Sequence, residues 1–154
     1  MQDPNPLLDN TQASPSMSQA SDPNPLLDSS VATATNMAND PTSSKYNGFC
    51  QQFVDDIIGT PAQNRQPSAS SAWSNYAQTG KAVQGTQGIK PGDIIYFNDP
   101  NDPNGHVGFY TGGDSFISAT QQDPQHPVKT QSLKGWQDLT GDSVLGFVPR
   151  GGQQ

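Results

Sequence analysis

Pro91-Gly92-Asp93-Ile94-Ile95-Tyr96-Phe97 and, eight residues after it ends, Gly105-His106-Val107-Gly108-Phe109-Tyr110 decide the fold of this chain. Both stretches are rich in β-branched and aromatic residues and open on turn residues, which is the pattern of strands. Two more runs of that kind follow, Phe116–Thr120 and Val144–Val148. Gly112-Gly113-Asp114 reads as the hairpin turn between the second and third strands. Asp99–Gly105, which holds two Asp-Pro pairs, reads as a turn-rich loop.

Upstream the period changes. Phe49, Phe53, Val54, Ile57 and Ile58 recur at helical spacing, and Gly59 and Pro61 end the run. A second short helix is expected around Ser71–Gln78, with Trp73 and Tyr76 in it and Gly80 closing it. Helices first and an antiparallel meander after them define an α+β domain. Asp93 is expected to tie the turn before the first strand.

The chain has 154 residues and a net charge of −7, and all fourteen of its acidic residues are Asp. With no basic cluster to neutralise phosphates, nucleic acid is not an expected partner. No apolar run approaches the ~20 residues of a membrane helix, so no membrane span is expected. The beginning, Met1-Gln2-Asp3-Pro4, lacks the basic and apolar regions of a secretory signal. Nothing has metal-ligand spacing, and no cofactor is expected. The lack of Glu lowers the odds of glycosidase chemistry, which commonly keeps one neutral as general acid.

Chemistry concentrates on the single cysteine, Cys50, in Tyr46-Asn47-Gly48-Phe49-Cys50-Gln51-Gln52-Phe53-Val54. It falls in the first turn of the expected helix, where free N–H groups and the helix dipole favour a thiolate. His106 opens an expected strand, so the two residue types of a nucleophile–base pair are present on ordered elements. His126, in Pro124-Gln125-His126-Pro127, is expected in solvent.

The order of Cys, Pro-Gly-Asp and His-Val-Gly resembles the papain-like peptidoglycan hydrolases of the NlpC/P60 and CHAP families, from about Tyr46 to about Pro149. The resemblance implies a papain-like core in which the helix of the nucleophile packs on a small antiparallel sheet. It implies a cysteine endopeptidase or amidase, with Cys50 as nucleophile, His106 as base and Ser118 at the position that orients the base. Thr120, Gln121 or a backbone carbonyl are the alternatives to Ser118. Tyr46 and Trp73 are candidate substrate contacts. The chain departs from the Asp-Cys-Ser-Gly of many NlpC/P60 enzymes, with Phe49 and Gln51 flanking the cysteine. The bond cleaved is therefore not carried over. A non-catalytic binding module, or a hydrolase or acyltransferase of this fold acting on a non-wall substrate, is the alternative.

Residues 1–43 are read as a disordered arm, 44–150 as the hydrolase domain and 151–154 as a linker stub. The first 44 residues contain five Asp and no Lys or Arg, and their polar, proline-rich composition offers little apolar surface to bury. Asp3-Pro4-Asn5-Pro6-Leu7-Leu8-Asp9 recurs identically at Asp22–Asp28. Two such copies on a tether fit a docking motif for other virion proteins. The expected setting is a phage particle that carries the enzyme to bacterial stem peptides, or export to the host cell wall without a standard signal peptide.

Overall fold

The computed structural model describes residues 25–150. Among the described residues, four α-helices, α1 (Pro25–Met37), α2 (Cys50–Ile58), α3 (Ala69–Gln78) and α4 (Leu133–Thr140), surround one sheet. Its strands are β1 (Val83–Gln84), β2 (Ile94–Asp99), β3 (Asp102–Gly112), β4 (Ser115–Ala119), β5 (Val128–Ser132) and β6 (Ser143–Val148). All pairings are antiparallel, in the order β1-β6-β2-β3-β4-β5. The α+β class expected from the sequence is what the chain adopts.

The two-residue period of the strands sorts side chains onto two apolar layers. Ile94, Tyr96, Val107, Phe109 and Ile117 share one core with Phe53 and Val54 of α2 and Ala72 of α3. Ile95, Phe97 and Phe116 form a second core under Trp136 of α4. Both layers are needed to hold β2, buried from Ile94 to Phe97, and the buried stretch of β3 from His106 to Tyr110. Asp93 fastens the entry to β2: its carboxylate accepts from the N–H groups of Lys90 at 2.9 Å and Arg150 at 3.0 Å.

Local chemistry explains the helix ends. Gly59 takes the left-handed conformation (φ 74°) that terminates α2. Ser68 and Ser71 cap α3 reciprocally. Ser132 caps α4 by accepting from the N–H of Gly135, and Gly141 closes it with φ 79°. No described helix is long and apolar enough to cross a membrane.

The structure corrects the sequence reading in three places. Residues 25–43, expected within the disordered arm, hold α1 and a 3-10 turn at Pro41–Tyr46. Pro25 stands at the first residue of α1, the one helical position where its missing N–H costs nothing. Ala34 is fully buried and α1 packs on α2 and β4, so small side chains supply the close approach that composition alone undervalues. Ser30 is buried too, and its hydroxyl accepts from Arg150 at 3.2 Å. Asp40 caps the 3-10 turn through the N–H of Thr42 at 2.9 Å.

The second correction concerns Asp99–Gly105. Asp99 pairs with Asp102, so β2 and β3 continue as a tight hairpin through most of the expected loop. Asp99 and Asp102 each accept an N–H two residues on, at 2.8 and 2.9 Å, which stabilises the turn in place of a longer loop. Third, β1, β5 and α4 are elements the sequence reading does not contain. The first copy of the duplicated motif lies outside the described residues, as do residues 22–24 of the second.

Candidate active site

Cys50 begins α2, and His106 lies on β3 immediately before Val107. Both line one cleft of about 590 Å³, with Phe49, Gln51, Asp102, Gln121 and Trp136 among its walls. The start of α2 is anchored from below. Tyr96 donates to Gln51 (3.4 Å), and Gln51 donates to the buried Asp55 (3.2 Å).

The amide of Val107, the residue joined to His106 by one peptide, favours the thiolate form of Cys50. Cys50 keeps part of its surface in the cleft. Burial nevertheless pushes its thiol up to about 11, against the pull of the amides of Val107, Gln51 and Cys50 itself, with Asp102 adding to the rise. The thiolate expected from helix-start placement is therefore not the resting form. Desolvation outweighs the helix start.

His106 is 7% exposed, and burial pushes its imidazole down to about 3. At neutral pH the resting pair is thus thiol and uncharged imidazole. Nε2 of His106 lies 2.9 Å from the hydroxyl of Ser118, which is wholly buried on β4. With the proton on Nε2, the hydroxyl accepts it and Nδ1 retains its lone pair. The other candidates for this contact are committed elsewhere or lie farther out. The hydroxyl of Thr120 donates to the carbonyl of Pro127 at 3.2 Å, and the side chain of Gln121 lies against Gly48 at the cleft.

The closeness of His106 to Ser118 depends on Gly108. With Phe109 opposite Ile117, Gly108 faces Ser118 across the ladder. A Cβ there would meet the carbonyl oxygen of Ile117 at 2.6 Å and Cβ of Ser118 at 2.8 Å. The bare glycine lets β4 close on β3.

Over residues 42–143 the sequence matches the NlpC/P60 family. The chain belongs to the NlpC/P60 family. No curated protein matches it. NlpC/P60 domains are typically cell-wall peptidases or amidases of the cysteine type, and the α+β core described above is consistent with that family.

Of the residues singled out from the sequence, the NlpC/P60 domain brings Cys50, His106 and Ser118 to one end of the sheet. It does not bring Tyr46 and Trp73 there. Tyr46 is 2% exposed, packs edge-on against Phe53 and donates to Asp56. Trp73 packs on Tyr96 and against Gly146. Neither lines the cleft: Tyr46 belongs to the core, and the partly buried Trp73 packs against it. His126 is exposed and pairs with Asp123.

The sequence reading puts Phe49 on the apolar helix face and gives Trp136 no role, but the structure places both at the cleft. Phe49 is 56% exposed at the rim beside the cysteine. Trp136 stacks on the imidazole of His106, with ring centroids 4.5 Å apart and planes 26° from parallel. Its only local signals are the Ser132 cap and the Gly141 stop of α4.

Proposed function

We propose that this chain is a cysteine peptidase or amidase that cleaves stem-peptide amide bonds of bacterial peptidoglycan, with Cys50 as nucleophile and His106 as base. The observation that carries this reading is the imidazole held through Nε2 by Ser118 in the cleft it shares with Cys50. That contact leaves Nδ1 as the nitrogen to receive the thiol proton.

Because burial keeps both groups uncharged at rest, proton transfer accompanies attack rather than preceding it. As Nδ1 takes the proton, the sulfur bonds to the carbonyl carbon. The amides at the start of α2 face the oxyanion. Collapse breaks the C–N bond, the imidazolium returns its proton to the leaving amine, and a thioester remains on Cys50. Water, deprotonated by His106, then releases the acid and regenerates the thiol. Asp55, Asp99 and Asp102 give the cleft an acidic lining with Arg65 as a counterweight.

Ser118 orients the base in this scheme. Ser118→Ala is expected to lower kcat about tenfold, far less than loss of Cys50, because a hydroxyl supplies only part of a triad's effect. Steady-state kinetics on isolated wall fragments check this. An unchanged kcat removes Ser118 from the mechanism.

For delivery, we propose that the enzyme is carried in a phage particle and that the duplicated Asp-Pro-Asn-Pro-Leu-Leu-Asp docks on other virion proteins. The exact repetition of seven residues within a tract free of Lys and Arg supports it. Two copies raise the effective concentration of the second docking event. Replacing Leu7, Leu8, Leu26 and Leu27 together by Ser is expected to reduce incorporation into particles far more than replacing either pair, with wall hydrolysis in solution unchanged. Normal incorporation of the quadruple variant overturns the docking role.

A further inference from the structure

We propose that Trp136 is a positioning residue for His106: its indole face fixes the plane of the imidazole so that Nε2 meets Ser118 and Nδ1 is presented to Cys50. This rests on the reading of His106 as the base.

The imidazole is a flat ring with two edges that must face different partners. A hydrogen bond at one nitrogen fixes a point on the ring but leaves rotation about that contact. A second constraint, acting on the face of the ring, is required to define its plane. Trp136 supplies it: the rings stack with centroids 4.5 Å apart and planes 26° from parallel. Phe116 meets the imidazole edge-on at 6.2 Å and Phe97 packs at 5.9 Å, which closes the remaining apolar sides.

The indole is itself held in orientation. Nε1–H of Trp136 donates to Oδ2 of Asp142 at 2.8 Å, and Asp142 is buried. Thr140 links the two ends of this unit, donating to the carbonyl of Trp136 at 2.7 Å and accepting from the N–H of Asp142 at 3.1 Å. A buried indole N–H needs a partner in any setting; this partner also fixes the plane of the ring that stacks on His106. Trp136 also lines the cleft, so the same ring that packs Phe116 bounds the space where substrate sits.

A stacked indole has a further consequence for a site with no carboxylate on its histidine. The serine hydroxyl supports an imidazolium less well than a carboxylate does. The electron-rich indole face favours a cation lying over it, and so favours the charge that His106 acquires during attack.

The test pairs Trp136→Phe, which keeps an aromatic face, with Trp136→Leu, which keeps apolar bulk without one. In the wild-type background Trp136→Leu is expected to lower kcat about tenfold with KM changed less than twofold, and Trp136→Phe to restore most of the loss. In a Cys50→Ala background, the imidazole ¹⁵N shifts of His106 should report one tautomer, protonated at Nε2, with Trp136 or Phe. With Leu they should report a mixture of tautomers. The exposed His126 gives the internal reference. Equal kcat in the Phe and Leu variants, or an unchanged tautomer in the Leu variant, overturns the proposal. Activity surviving His106→Ala would instead overturn the assignment of the base, so the two failures are distinguishable.

Discussion

Cys50→Ala and His106→Ala are each expected to lower wall hydrolysis by about 10⁴-fold or more, since the members of a nucleophile–base pair act as a unit and losing either removes the chemistry. The sulfur contributes little packing that a methyl group does not replace, so Cys50→Ala should unfold near the wild-type temperature. His106 is enclosed by Trp136, Phe97 and Phe116, and its truncation leaves a gap against these rings. His106→Ala should therefore be less stable but still folded. Turnover measured beside thermal unfolding separates chemistry from stability. Wild-type turnover in a folded Cys50→Ala protein contradicts the assignment of the nucleophile.

Gly108→Ala is expected to produce the second largest effect, through geometry rather than loss of a functional group. The backbone of Gly108 is ordinary strand, so the cost lies in space. The new methyl would lie 2.6 Å from the carbonyl oxygen of Ile117 and 3.0 Å from the ring of Phe116, and the carbonyl, being backbone, has no rotamer to escape into. Strands β3 and β4 must part, at a cost of about 1–3 kcal/mol in stability. That separation also carries Ser118 away from His106, so kcat should fall below that of Ser118→Ala. Thermal unfolding and steady-state kinetics on the same preparation check both parts. Wild-type stability and turnover together would show that β4 yields without consequence.

Gly108 also illustrates what the sequence made legible. The strands around His106 and Ser118 announce themselves because each alternates between two buried layers, and β2 through β4 follow in order as a meander. The start of α2 at Cys50 is equally plain, because Phe53 and Val54 impose the helical period while Gly59 stops it. These features put Cys50, His106 and Ser118 on ordered elements, while the roles expected of them come from the resemblance to NlpC/P60 enzymes.

The remainder depends on tertiary contacts that leave faint local traces. Strand β5, Val-Lys-Thr-Gln-Ser, alternates weakly, and only its pairing with β4 makes it a strand. Helix α4 is eight residues long with a glycine at Gly135, too short to show a period, yet it delivers Trp136 to His106. Helix α1 buries Ala34 and Ser30, residue types that a composition reading counts as arm. The balance of effects on the Cys50 thiol escapes the sequence for a related reason. Helix-start amides are visible in the sequence, whereas the depth of the sulfur is a property of the folded cleft. Aromatic residues near a nucleophile often contact substrate, but Tyr46 is taken by the core and Trp73 packs against the core's edge.

The most direct test of the central claim is to digest purified peptidoglycan with the wild-type protein and with Cys50→Ala, and to identify the soluble products by mass spectrometry. Wild-type protein is expected to release stem-peptide fragments bearing a newly formed amine or carboxyl end, with glycan linkages intact, while Cys50→Ala releases none. Cleaved glycan with intact stem peptides, or identical products from both proteins, would contradict the assignment of this chain as a cysteine peptidase or amidase of the wall.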